Sequence, residues 1–278
     1  MTSPQPTMPN QPDARSLLSK VPEVTIFFWV IKVLCTTVGE TFADFINGRL
    51  GDNLNTTTAV MSALLVVALV FQFRAPRYVP GIYWVTVVLV SVVGTLITDN
   101  LVEHFNWSLT RSTIVFGIAM LAAFGIWYAS ERTLSIHSIF TYQREAFYWL
   151  AILFTFALGT AAGDLIAEKY SIGYFRSMLL FAALIAVVAV AHLRFGLNAI
   201  LAFWIAYVFT RPLGASIGDL LSQPRQLADG ADPAGFQAGL GLGTTVTSLI
   251  FLTAILAVVV YMTNQQRQDP NPATAALD

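Results

Sequence analysis

The sequence predicts an all-α membrane protein, a polytopic bundle of about eight transmembrane helices built from four parallel two-helix repeats. Three observations lead there. Of 278 residues, 56 % are apolar and only 11 % charged, with a mean hydropathy of +0.66, outside the range of soluble globular domains. The apolar residues gather in runs of about 20, the length that crosses a bilayer as a helix. Four times, finally, a tryptophan is followed ten residues later by glycine and five after that by aspartate: Trp29/Gly39/Asp44, Trp84/Gly94/Asp99, Trp149/Gly159/Asp164 and Trp204/Gly214/Asp219.

Residues 1–20, MTSPQPTMPNQPDARSLLSK, are rich in Pro, Ser, Gln and Asn and lack the apolar stretch of a cleaved signal peptide, so they read as a disordered cytoplasmic tail. The spans then fall near 24–46, 54–73, 79–101, 112–130, 146–167, 175–194, 198–221 and 243–263. The transmembrane domain covers 21–263, with repeats at about 21–78, 79–133, 134–195 and 196–263. Residues 264–278 end the chain as a second flexible cytoplasmic tail.

Each odd-numbered span carries one motif, and each two-helix unit returns the chain to its starting side. The four motifs therefore run in the same direction about an axis along the membrane normal, with twofold or fourfold pseudo-symmetry. Basic residues set the orientation. With the N-terminus inside, Arg15, Lys20, Arg74, Arg77, Arg132, Arg144, Arg194 and Arg267 lie on the cytoplasmic side, and Arg49, Arg111, Lys169, Arg176 and Arg225 on the other. The expected arrangement is N-in, C-in, in the bacterial inner membrane.

From Trp to Asp the helix turns through roughly 60° net and rises about 22 Å, so the two share a face at opposite depths. Trp29, Trp84, Trp149 and Trp204 are expected to act as aromatic anchors at the membrane interface. Gly39, Gly94, Gly159 and Gly214, each with a small residue four positions on (Ala43, Thr98, Gly163, Gly218), have the spacing that lets helix backbones approach closely.

An acid is costly inside a membrane span, so four at one register imply a shared role. Asp44, Asp99, Asp164 and Asp219, together with Glu40, are the candidate substrate or ion-binding residues, with the four aspartates as candidate metal ligands. In the first span Lys32, Thr36 and Glu40 share one face at i, i+4 and i+8. In the seventh, Thr210, Arg211 and Pro212 interrupt the helix, since proline removes a backbone donor. Lys32 and Arg211 are candidate coupling residues or counter-ions for Glu40 or an aspartate. Five acids against two bases favour a cation or protons. With Cys35 as the single cysteine, oxygen ligands suit Mn²⁺, Mg²⁺ or Ca²⁺ better than Cu⁺. His104 and His192 are secondary candidates, and no cofactor is called for.

The unit aromatic-Trp-x9-Gly-x4-Asp followed by a second span, four times over, resembles the bacterial membrane-protein family of four tandem two-helix repeats of unknown function, often called uncharacterised membrane-anchored proteins. The opening KVPEVTIFFWVIKVLCTTVGETFADF carries the resemblance most closely, and it extends over residues 20 to 263. The last copy departs from it by the longer loop SQPRQLADGADPAGFQ. The resemblance implies a multi-pass inner-membrane protein and no particular activity.

A secondary transporter or exporter of a cation, Mn²⁺ favoured and protons as possible counter-ion, is the expected function. The partners are then the lipid bilayer and a small cation or other small solute, with no nucleic acid. A non-transporting scaffold or sensor partner, an organic-substrate transporter and a cation channel are the alternatives. An enzyme ranks lower, for want of a nucleophile–base pair, a His-x-x-x-His or a phosphate loop. A retinal pump ranks lower still, since Lys32 lies in the first span and the last has no lysine.

Overall fold

The computed structural model describes residues 19–225 and 238–268. Eight long helices appear: α1 (Ile26–Arg49), α2 (Leu54–Arg74), α3 (Pro80–Asp99), α4 (Leu109–Glu131), α5 (Tyr142–Asp164), α6 (Tyr174–Phe195), α7 (Ala199–Ser222) and α8 (Gly243–Gln268). All eight are long and apolar enough to cross a membrane. Polar residues at the span edges start several of them. The side chains of Asn53, Ser108, Thr141 and Asn198 accept amide hydrogens of the first turns of α2, α4, α5 and α7, and Pro80 opens α3, where its missing donor costs nothing. Helix α6 ends at Gly196, in the left-handed region at φ +70°.

Burial divides the helices into two sets. In α1, α3, α5 and α7 between 56 and 67 % of the span is buried inside the protein, against 6 to 22 % in α2, α4, α6 and α8. The four motif helices close a ring, α1 on α3, α3 on α5, α5 on α7 and α7 on α1. Each even helix packs chiefly on the next repeat's odd helix: α2 on α3, α4 on α5, α6 on α7 and α8 back on α1. Consecutive repeats are thereby interlocked, and the fourth closes on the first.

The motif glycines make the ring tight. A methyl group at Gly39 would come within 3 Å of Ser91, at Gly94 of Phe156, at Gly159 of Arg211, and at Gly214 of Thr36. Each partner stands three positions before the glycine of the neighbouring helix, so one crossing is repeated four times around the axis.

Several expectations change. Helix α7 runs unbroken through Pro212, which sits against Gly159 and Gly163 of α5. Residues 264–268 continue α8 instead of beginning a tail. Lys20 is buried rather than part of a tail: its Nζ donates to Glu145 Oε2 (2.7 Å) and to the Phe73 carbonyl (2.9 Å), while Gln72 donates to Glu145 Oε1 (3.0 Å). Residues 1–18, most of the long fourth-repeat loop and 269–278 lie outside the described residues.

The tryptophans do not form an outward-facing interfacial belt. Trp84, Trp149 and Trp204 are buried and Trp29 half-buried, because the rings meet across the ring of helices. Phe28 contacts Trp84 and Phe203; Tyr83 contacts Trp149; Tyr148 contacts Trp204. The Trp84 indole donates to Tyr78 Oη (3.0 Å) and that of Trp204 to the Leu134 carbonyl (2.9 Å). Burial at the edge of α3 pushes the Tyr78 phenol up, against the smaller opposing effect of the Trp84 hydrogen bond.

Gln72, Trp127 and His192 occupy the same place in the first three repeats. Gln72 is bonded to Glu145, and Trp127 is buried against Trp204. His192 turns to the Leu197 carbonyl (2.7 Å) and leaves an apolar groove of about 530 Å³ beside Trp29, between α1, α6 and α7.

Candidate functional site

Counted from the motif glycine, the inward-facing residues of the odd helices recur every four positions, close to one turn per rung. The position just after the glycine is Glu40, Thr95, Thr160 and Ala215. Three of these four converge on one side chain. Arg211, fully buried, shares the two hydrogens of Nη2 among Glu40 Oε2 (2.7 Å), Thr160 Oγ1 (2.7 Å) and Thr95 Oγ1, and donates from Nη1 to the Thr36 carbonyl (3.3 Å). Its own repeat contributes only Ala215, which leaves room for the guanidinium. Arg211 therefore fills the centre of the ring and is bonded to α1, α3 and α5. Of the two proposed counter-ions, it is the one that pairs with an acid.

Lys32 does not. Its Nζ is buried without a hydrogen-bond partner, over the faces of Phe156 (4.1 Å) and Tyr207 (4.0 Å). Beyond it toward the tryptophan end the axis is filled by aromatic rings, with Tyr83 Oη and Tyr148 Oη 2.5 Å apart.

One rung beyond Glu40, in the other direction, stand the four motif aspartates. Asp44, Asp99, Asp164 and Asp219 line a single cavity of about 180 Å³ together with Glu40, Glu103, Glu168, Val102, Leu109 and Gln223. Seven of the ten lining residues are acids, and none is Lys, Arg or His. Asp44, Glu103 and Glu168 are exposed at the mouth, Asp99 and Asp164 half-buried, and Asp219 buried. No hydrogen bond or ion pair to these four aspartate carboxylates occurs among the described residues. Nearby bases turn elsewhere: Lys169 donates to Thr110 Oγ1 (2.6 Å), and Arg49 lies over Phe45.

The structure places the four aspartates and Glu40 at one cavity and adds Glu103, Glu168 and Gln223, which the sequence did not point to. Each stands four residues after a motif aspartate, a spacing that places it on the same helix face. Helices α3 and α5 pass through a π-turn at Asn100–His104 and Leu165–Lys169, an irregularity frequent at functional sites, and these turns carry Glu103 and Glu168 to the rim.

As direct metal ligands the aspartates fail. Among the described residues, no three His, Cys, Asp or Glu side chains are grouped closely enough to hold one metal ion. The cavity has room for several waters. The chemistry on offer is a cluster of carboxyl groups around a space that can take water, with the Arg211 guanidinium buried on its inner side. His104 and His192 do not line the cavity.

The repeat described as Repeat of Unknown Function (DUF347) matches residues 27–78, 82–133, 147–197 and 202–268. The chain belongs to the DUF347 repeat family. Each matched segment is one motif helix with the even helix that follows it, so the repeated sequence unit and the packing unit differ by one helix. Neither the curated proteins nor the solved structures contain a match.

Proposed function

We propose that this DUF347 protein is a secondary carrier for a cation, which it takes up hydrated in the cavity of seven acids. The observation that supports the reading is that cavity: all four repeats contribute an aspartate to it, and nothing basic lines it. Packing alone gives no reason to place an acid there four times. Glu40 belongs both to the cavity and to the Arg211 pair. A cation reaching Glu40 competes with Arg211 for the same carboxylate, and displacing the guanidinium unties α7 from α1, α3 and α5 at once. A carrier is favoured over an open channel because Arg211, Phe156, Lys32 and the aromatic layer occupy the axis below.

In this reading the protein sits N-in, C-in in an inner membrane, the cavity faces away from the cytoplasm, and the protein is not an enzyme. Oxygen-lined surroundings with room for water suit Mn²⁺ or Mg²⁺, which keep part of their hydration shell. The test is cation uptake into liposomes holding purified protein, with Mn²⁺, Mg²⁺, Ca²⁺ and Zn²⁺ compared. Asp219→Asn and Asp99→Asn should reduce the flux at least tenfold at unchanged protein level. Absence of flux for every ion from folded protein would leave a scaffold or an organic substrate as the better reading.

A further inference from the structure

Lys32 is the one axial charge that the cation site does not use. Its amine is fully buried, has no hydrogen-bond partner, and is held by two ring faces at 4.1 and 4.0 Å. Its charged and titratable neighbours are Cys35 on its own helix and Arg211 and Tyr207 on α7. Next to Tyr207 come the hydroxyls of Tyr148 on α5 and Tyr83 on α3. Two facts about side chains then matter. A lysine can lose its proton where an arginine cannot. Ring faces attract an ammonium without supplying an acceptor that would fix it in the charged form.

We propose that Lys32 is the proton-carrying site of the transport cycle, loaded and unloaded from the side of Arg211 opposite the acidic cavity. This rests on the cation-carrier reading. With Arg211 tied to Glu40, its charge is compensated and Lys32 carries its proton. When a cation takes Glu40, the released guanidinium is an uncompensated like charge in the same dry core, and the Lys32 N–H bond breaks, its electron pair staying on Nζ. The proton passes to water on the side of the tryptophan end, where Tyr83 Oη and Tyr148 Oη are hydrogen-bonded to each other.

The experiment uses full-length protein in liposomes, with ⁵⁴Mn²⁺ as the probe cation and a trapped pH dye. Lys32→Met and Lys32→Arg are compared with wild type, each checked for an unchanged elution profile. Mn²⁺/Mn²⁺ exchange should stay within about twofold of wild type in Lys32→Met, while Mn²⁺-driven proton movement falls at least tenfold in both variants. Lys32→Arg is decisive, because it keeps a positive charge at this position and cannot give up a proton. Proton movement retained in either variant, or absent in a wild type that exchanges Mn²⁺, overturns the inference and leaves the carrier reading standing. Absence of Mn²⁺ exchange in wild type overturns the carrier reading itself.

Discussion

Arg211 Nη2 lies 2.7 Å from Glu40 Oε2, joining the seventh helix to the first in the middle of the ring. Both side chains are nearly removed from solvent, at 0 and 10 % exposure. Breaking such a pair from one side leaves an uncompensated buried charge, at a cost of roughly 3–5 kcal/mol. Arg211→Met alone should therefore destabilise the protein strongly, and Arg211→Met combined with Glu40→Gln should recover much of the loss. Thermal unfolding in detergent across the double-mutant cycle measures this.

The same logic applies to Lys20 and Glu145, where Glu145 is 1 % exposed and also accepts from Gln72. Lys20→Met should cost roughly 3–5 kcal/mol, and Lys20→Met with Glu145→Gln distinctly less. A larger effect of deleting residues 1–18 than of Lys20→Met would argue against this clasp as the main attachment of the N-terminal segment.

Valine at Gly39, Gly94, Gly159 or Gly214 has nowhere to go, since even a Cβ would meet the neighbouring helix within 3 Å. Each substitution should lower stability by at least about 1–3 kcal/mol. Gly125→Ala, in α4 with open space around it, should be neutral or stabilising by about 0.5–1 kcal/mol. Melting temperatures of the five variants side by side separate the crossing glycines from a glycine without that role.

His192→Trp places an indole where Trp127 already sits in the preceding repeat and fills part of the groove beside Trp29. Lipid is as apolar as the groove, so the gain comes from ring packing and not from water release. A stabilisation of about 0.5–1.5 kcal/mol is expected, read as a raised melting temperature. A lowered one would show that the groove has a different shape from its counterpart.

Much of this was legible in the chain because the repeat is strict. The number of spans, the odd helices as the inner ring and the glycines as crossings all follow from a motif that recurs at fixed register. The convergence of Asp44, Asp99, Asp164 and Asp219 follows from the same symmetry. What broke the symmetry was not legible. Thr95 and Thr160 look like ordinary span residues until Arg211 is seen to need acceptors from three helices. Glu103 and Glu168 lay past the expected span ends, so their place four residues after a motif aspartate went unread. The tryptophans were read as anchors at the membrane interface, and depth along a helix does not reveal which way an aromatic ring faces. Pro212 was misread as a break because its place at a glycine crossing, against Gly159 and Gly163, depends on a neighbour far away in sequence.

The most direct test of the central claim is equilibrium binding of Mn²⁺ to the purified protein, followed by the loss of the free-ion electron paramagnetic resonance signal. The account predicts one saturable site per chain, weakened at least tenfold by Asp219→Asn and by Asp99→Asn and unaffected by His192→Trp. No saturable binding by folded protein, or binding indifferent to both aspartate substitutions, would contradict it.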